Sequence, residues 1–178
     1  MVPRCRRDRP VAGSVVASFS MTWLRASFVI QMILTGYFQT VLWLPLGSWN
    51  DQPGKRLLTL LGEGHALAAV GFAVAMLLPV LVFGVALWKR WGWLMWLGLM
   101  GYGVWAALQI QSWWAPWIFG ANQRALNNHK FLERTYKLFP SSIGHPAPDA
   151  MHFVLDLLLF STVATIAVGL LKTGRASA

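Results

Sequence analysis

Cysteine, acid and recognisable nucleophile motifs are what this chain has least of. Its 178 residues hold one cysteine, six acidic residues and only 12% charged side chains in all. Cys5 has no second thiol to pair with, which excludes membrane oxidoreductases that relay dithiols. There is no phosphate loop, dinucleotide fingerprint, CxxC pair or serine-nucleophile elbow. Nucleotide-dependent, thiol and conventional hydrolase chemistry therefore find no support. The charged fraction is about half of the roughly 25% usual in soluble domains, so an ordinary soluble domain is a poor fit.

What is present instead is apolar: 56% hydrophobic residues and eleven tryptophans. The formal charge of +9 would suggest nucleic acid in a soluble protein. Here most of the lysines and arginines flank apolar runs, where they act as topology signals and headgroup anchors, and no nucleic-acid partner is expected. The expected class is all-α, an integral membrane four-helix bundle in contact with the lipid bilayer. Residues 1–22 read as a basic, disordered N-terminal tail and residues 23–178 as the four-span bundle. Met21 is an alternative start, because the hydrophobic pattern begins just after it.

Four spans follow from the runs: Ala26 to Leu46, His65 to Trp88, Trp91 to Trp114, and Asp149 to Leu171. Leu57 to Gly64 reads as a short interfacial lead into the second. Pro79 predicts a kink within the second span. Gly71 with Ala75, and Gly98, Gly101 and Gly103, predict close helix approach. Between the third and fourth spans, Ala125, His129, Leu132, Tyr136 and Phe139 recur at steps of four and three. That pattern predicts an extramembrane amphipathic helix to Phe139, with a Glu133–Lys137 ion pair on its outer side.

With the N-terminus inside, nine basic residues fall on the cytoplasmic side (Arg4, Arg6, Arg7, Arg9, Arg25, Lys89, Arg90, Lys172 and Arg175) and six outside, accounting for all 15. A start at Met21 changes the balance to five against six, and the tight Lys89–Arg90 turn still favours the same orientation. The expected location is a bacterial inner membrane with both termini cytoplasmic. In that topology all four histidines, and every acidic residue except Asp8, gather at the extracytoplasmic end.

The stretch His145 to Phe160 draws most attention. Asp149, His152 and Asp156 sit at i, i+3 and i+7, on one helical stripe within roughly 80° of arc. The apolar run after Asp156 is only about 22 Å long against about 30 Å of hydrocarbon, so Asp156 must enter the span. A carboxylate at that depth is a functional-site candidate by default; its alternative is a carboxyl hydrogen-bonded between helices.

Asp156, His152 and Asp149, joined by His65 and Glu63 from the second span, form the candidate ligand- or metal-binding set. Divalent transition metals suit such donors. A b-type haem between His65 and His152 is a second possibility. A third is a pocket for a small, lipidic or amphipathic molecule, with Gln39, Gln109, Trp105 and His129 as walls and the amphipathic helix as lid. A fourth reading makes the chain an accessory or assembly subunit without ligand, its polar stripes and tryptophans serving a protein partner or a second copy.

Overall fold

The computed structural model describes residues 12–44, 46–50, 63–130 and 132–176. Cys5, residues 57–62 of the expected interfacial segment, and both ends of the chain lie outside them. Helices account for most of what is described. In chain order they are α1 (Ala12–Trp43), α2 (Glu63–Lys89), α3 (Gly92–Gln109), α4 (Ala115–Phe119), α5 (Gln123–Lys130) and α6 (Ala150–Ala176). Among the described residues there is no strand, only isolated bridges pairing Lys137 with Asp149 and Ser142 with His145.

Three segments are long and apolar enough to cross a membrane by length and composition: Met21–Trp43, Gly92–Phe119 and Ala150–Thr173. Within α2 the apolar stretch Ala73–Lys89 is shorter. The helix runs through Pro79 without ending. Residues 12–22, expected as a disordered tail, belong to α1 instead. Gly13 and Ser14 fall in its first turn, where backbone amides lack intrahelical partners anyway and weak helix formers cost little.

The long helices close a ring of neighbours: α1 packs on α6, α6 on α3, α3 on α2, and α2 on α1, with α1 and α6 the most intimate pair. Leu24 and Leu34 of α1, Phe83 and Ala86 of α2, Met95 and Tyr102 of α3, and Leu159 and Ile166 of α6 form one buried core. Polar groups at these faces are spent on each other. Tyr102 donates to Gln31 Oε1 at 3.2 Å, Gln31 donates to Ser27 at 3.1 Å, and Gln39 donates to the Ala73 carbonyl at 2.8 Å. Gln31 and Gln39 thus join helices, the role hydrogen-bonding side chains usually play between apolar helices.

The expected small-residue contacts are realised unevenly. A Cβ on Gly98 would sit 3.3 Å from the Phe83 ring, whereas one on Gly71, Gly101 or Gly103 would meet nothing within 4 Å. The tight turn after α2 places Arg90 at φ +57°.

Asn50 closes the C-terminal end of α1. Its amide donates to the carbonyls of Val41 and Leu44 at 2.6 and 2.7 Å, and its oxygen accepts from the Leu46 amide at 2.7 Å. These bonds satisfy carbonyls that the last turn leaves without partners.

The connection between α3 and α6 departs from the amphipathic pattern. The helix stops at Lys130, and residues 132–139 run as turns and a short strap. The Tyr136 amide donates to the Ser48 carbonyl at 2.7 Å and the Tyr136 carbonyl accepts from Ala150 at 2.9 Å. Backbone groups bound to α6 and to the turn after α1 are not available for helical bonds, so the tertiary ties override a periodicity that continues to Phe139. The expected Glu133–Lys137 pair gives way to a 3.4 Å hydrogen bond from Lys137 Nζ to Thr135. His129 and Leu132 are buried as expected, while Tyr136 is exposed.

Candidate functional site at the N-terminal end of the last helix

Asp149 precedes α6 and acts as its N-cap. Its Oδ1 accepts from the His152 amide at 2.8 Å and from His152 Nδ1 at 2.9 Å. One oxygen therefore caps the helix and orients the imidazole three residues on. With Nδ1 donating to the carboxylate, Nε2 is left for another partner. Thr135 Oγ1 lies 3.3 Å from Oδ2, but its proton is better placed on the Leu132 carbonyl at 2.6 Å. Asp149 is fully buried and His152 nearly so, with 12% of its side chain exposed. Burial pushes the Asp149 carboxyl up, yet the hydrogen bonds and charge of His152, with Lys137 beyond, outweigh it and hold the group below its ordinary value of 3.8.

Asp156, one turn deeper, is 1% exposed. Trp114 Nε1 donates to its Oδ2 at 2.6 Å, and its Oδ1 is buried without a hydrogen-bond partner. Asp149, His152 and Asp156 are thus brought to one end and one side of α6, as their spacing predicts.

The walls are tryptophans near the end of the third expected span, where such residues ordinarily serve as interface anchors. Between α3 and α4 the chain makes a π-helical turn over Ile110–Trp114, in which the Ala115 amide reaches back to the Ile110 carbonyl. Such wide turns recur at functional sites because they insert a residue and re-aim its neighbours. Here consecutive residues serve different parts of the site. Trp113 lies tilted over His152 with centroids 3.8 Å apart and meets His129 edge-on at 4.9 Å. Trp114 holds Asp156 and packs with Phe139 and Phe153 at 5.9 and 6.2 Å.

His129, on α5, is buried with both ring nitrogens lacking a hydrogen bond of ordinary geometry. Pro116 cannot donate to the Ser112 carbonyl in α-helical register, and that carbonyl lies close enough to favour a protonated ring. Burial, followed by the charge of Lys137, prevails and holds His129 below its ordinary 6.5. Burial also lowers Lys137 itself.

Below pH 6.5 the unfolded chain takes up a proton at residue 129 that the folded chain resists. Stability therefore falls as pH drops from about 6.5 toward the lowered folded value. His129→Leu is expected to flatten that decline, and to raise stability at pH 7.5 by about 1–3 kcal/mol, because it removes buried nitrogens left without partners. Thermal unfolding in detergent at pH 7.5 and 5.0 checks both effects; an unchanged pH slope would assign the titration elsewhere.

Of the remaining expected site residues, Gln39 and Trp105 are engaged elsewhere. Gln39 is engaged with Ala73 and with Trp43, whose Nε1 donates to it at 2.9 Å. Gln109 is buried on α3. Trp105 packs on Phe38 and Tyr102 and lines a separate apolar cavity of about 500 Å³ between α1, α2 and α3. None of Asp156, Gln39, Gln109 or His129 lines that cavity. The apolar cavity is thus distinct from the polar cluster around Asp156.

Glu63 and His65 open α2, but their side chains lie outside the described residues. Among the described residues, no group of three His, Cys, Asp or Glu side chains is placed to hold a metal ion. The pairing of His65 with His152 around a haem involves a side chain that is not described.

By length and composition the helices define a chain consistent with a membrane protein. Compared with known protein families, curated proteins and solved structures, it matches none of them.

Proposed function

We propose that this chain is an integral membrane protein whose long helices form a four-helix bundle, and that His152 and Asp156 bind a small amphipathic ligand at its extracytoplasmic end. The observation that carries the reading is the Asp156 carboxyl, 1% exposed with one oxygen unpartnered, beside an imidazole oriented by Asp149. A buried polar atom without a partner costs about 1–3 kcal/mol. A ligand donor placed on Oδ1 recovers that cost and gives the site its orientation.

Asp149 fixes the His152 tautomer and leaves Nε2 for the ligand or for a proton. The aromatic residues around it, Trp113, Trp114, Phe139 and Phe153, supply apolar cover, the usual make-up of a small-molecule site. Orientation follows the basic residues: Arg25, Lys89, Arg90 and Lys172 belong to the opposite end, the cytoplasmic one under the positive-inside rule.

A transition metal on His152 Nε2 is a second reading, because a carboxylate behind an imidazole is also how metal-binding histidines are held. It is the weaker one, since Asp149 and Asp156 already spend oxygens on His152 and Trp114.

The test is to purify wild type, Asp156→Asn and His152→Ala in a mild detergent, and to compare small molecules and metals released on denaturation. The wild type is expected to carry a stoichiometric polar molecule that both variants lose at least about tenfold, the scale of one charge-assisted hydrogen bond. Membrane insertion is expected to be unchanged. Identical small-molecule content in all three proteins ends the ligand reading, and stoichiometric metal in the wild type alone moves it to the second.

A further inference from the structure

The apolar cavity between α1, α2 and α3 is a different object from the polar site, and its shape carries an inference of its own. Its α3 wall is Leu94, Leu97, Gly98, Gly101 and Trp105, a single stripe at helical spacing that rises about 16 Å along the axis. Ala75, Pro79 and Val82 of α2 form a facing stripe about 10 Å long. The void is therefore a slot parallel to the helices, about as deep as one leaflet's share of a roughly 30 Å hydrocarbon layer.

Its lips are open. Leu78 and Leu97 are 54% and 53% exposed, and Gly101, which has no Cβ to narrow the slot, faces nothing within 4 Å. At about 500 Å³ it falls within the roughly 300–1,000 Å³ of small-molecule sites.

Charge identifies the occupant. One turn beyond Leu94, at the end of the slot away from Asp156, the chain turns through Lys89 and Arg90. Both are exposed, beside exposed Trp88, Trp91 and Trp93. Lys89 Nζ lies 4.7 Å over the Trp88 ring. Basic residues with tryptophans at headgroup level attract anionic lipid. We propose that the slot holds one acyl chain of an anionic phospholipid whose phosphate is met by Lys89 and Arg90. The inference rests on the membrane reading above but not on the polar site.

The experiment is native mass spectrometry of purified, delipidated protein titrated with phosphatidylglycerol or phosphatidylcholine. Carbonate extraction of membranes is run beside it to test membrane embedding separately. Wild type is expected to retain one phosphatidylglycerol per chain, with a preference over phosphatidylcholine on the order of tenfold. Lys89→Gln combined with Arg90→Gly, which also relieves the positive φ, is expected to erase the preference.

Gly101→Leu, placed where an added Cβ would meet nothing within 4 Å, is expected to fill the slot and release both lipids while leaving thermal stability intact. Asp156→Asn is expected to bind lipid as wild type does. Unchanged retention in Gly101→Leu, equal affinity of wild type for the two lipids, or no retained lipid overturns the proposal. So does a change of oligomeric state in Gly101→Leu, which would give the slot to a second copy of the chain. Extraction by carbonate would instead overturn the membrane reading itself.

Discussion

Asp149→Ala is expected to cost about 2–4 kcal/mol of folding stability and to abolish the orientation of His152 in the same step. Loss of an N-cap costs about 1 kcal/mol. The imidazole N–H, left without its acceptor in a nearly closed site, adds about 1–3 kcal/mol. Asp149→Asn keeps an oxygen where both donors point, so the capping part survives and the expected loss is about 1 kcal/mol.

The pair separates capping from charge through pH. A carboxyl held below its ordinary 3.8 in the fold contributes stability that is fully present above that value. The contribution is lost as pH falls through the lowered folded value. Wild type should show this acid limb and Asp149→Asn should lack it. Denaturant unfolding of the two variants and wild type between pH 7 and pH 3 measures both effects. Equal stability of the alanine and asparagine variants would mean that the cap is idle.

What could be read from the sequence at this site was the part governed by periodicity and depth. Asp149, His152 and Asp156 share a stripe because three and seven residues bring a helix back to one side. The shortness of the apolar run after Asp156 placed it among apolar neighbours. Trp113 and Trp114 escape notice because a tryptophan near the end of a span is first an interface anchor, and little in the local pattern announces a π-helical turn. Pro116, which lacks an amide for the preceding carbonyls, was the available signal.

The strap at residues 132–139 departs from its hydrophobic repeat for a related reason. Its hydrophobic repeat is genuine, and His129 and Leu132 obey it, but the Tyr136 backbone is claimed by Ser48 and Ala150, partners far away in sequence. Likewise Gln39, Gln109 and Trp105 have the polarity of cavity walls, and polarity alone does not say which helix each will meet. The ring of helices could be anticipated from four apolar runs. Which glycines carry close contacts and which leave a slot depended on the residues opposite.

The strongest single blow to helix packing is expected at Gly169. It sits where α6 crosses α1, the most extensive helix contact in the chain. A Cβ there would lie 2.7 and 2.8 Å from Leu24 Cδ2 and Cγ and 3.3 Å from the Leu24 backbone nitrogen. Leu24 is itself buried to 2% exposure, so its side chain has little room to swing away, and the nearby nitrogen limits how far the helix can be pushed.

Between apolar helices, association depends on close packing rather than on water expulsion, so lost proximity is not offset by burying more hydrocarbon. Gly169→Ala is therefore expected to destabilise by about 1–3 kcal/mol, and Gly169→Leu by upwards of about 3 kcal/mol. Gly101→Leu, the same change where nothing stands opposite, is expected to be near neutral and controls for helix propensity and hydrophobicity. Thermal unfolding of the three variants in one detergent decides the matter. A Gly169→Leu protein as stable as Gly101→Leu would show that α1 and α6 do not meet at Leu24.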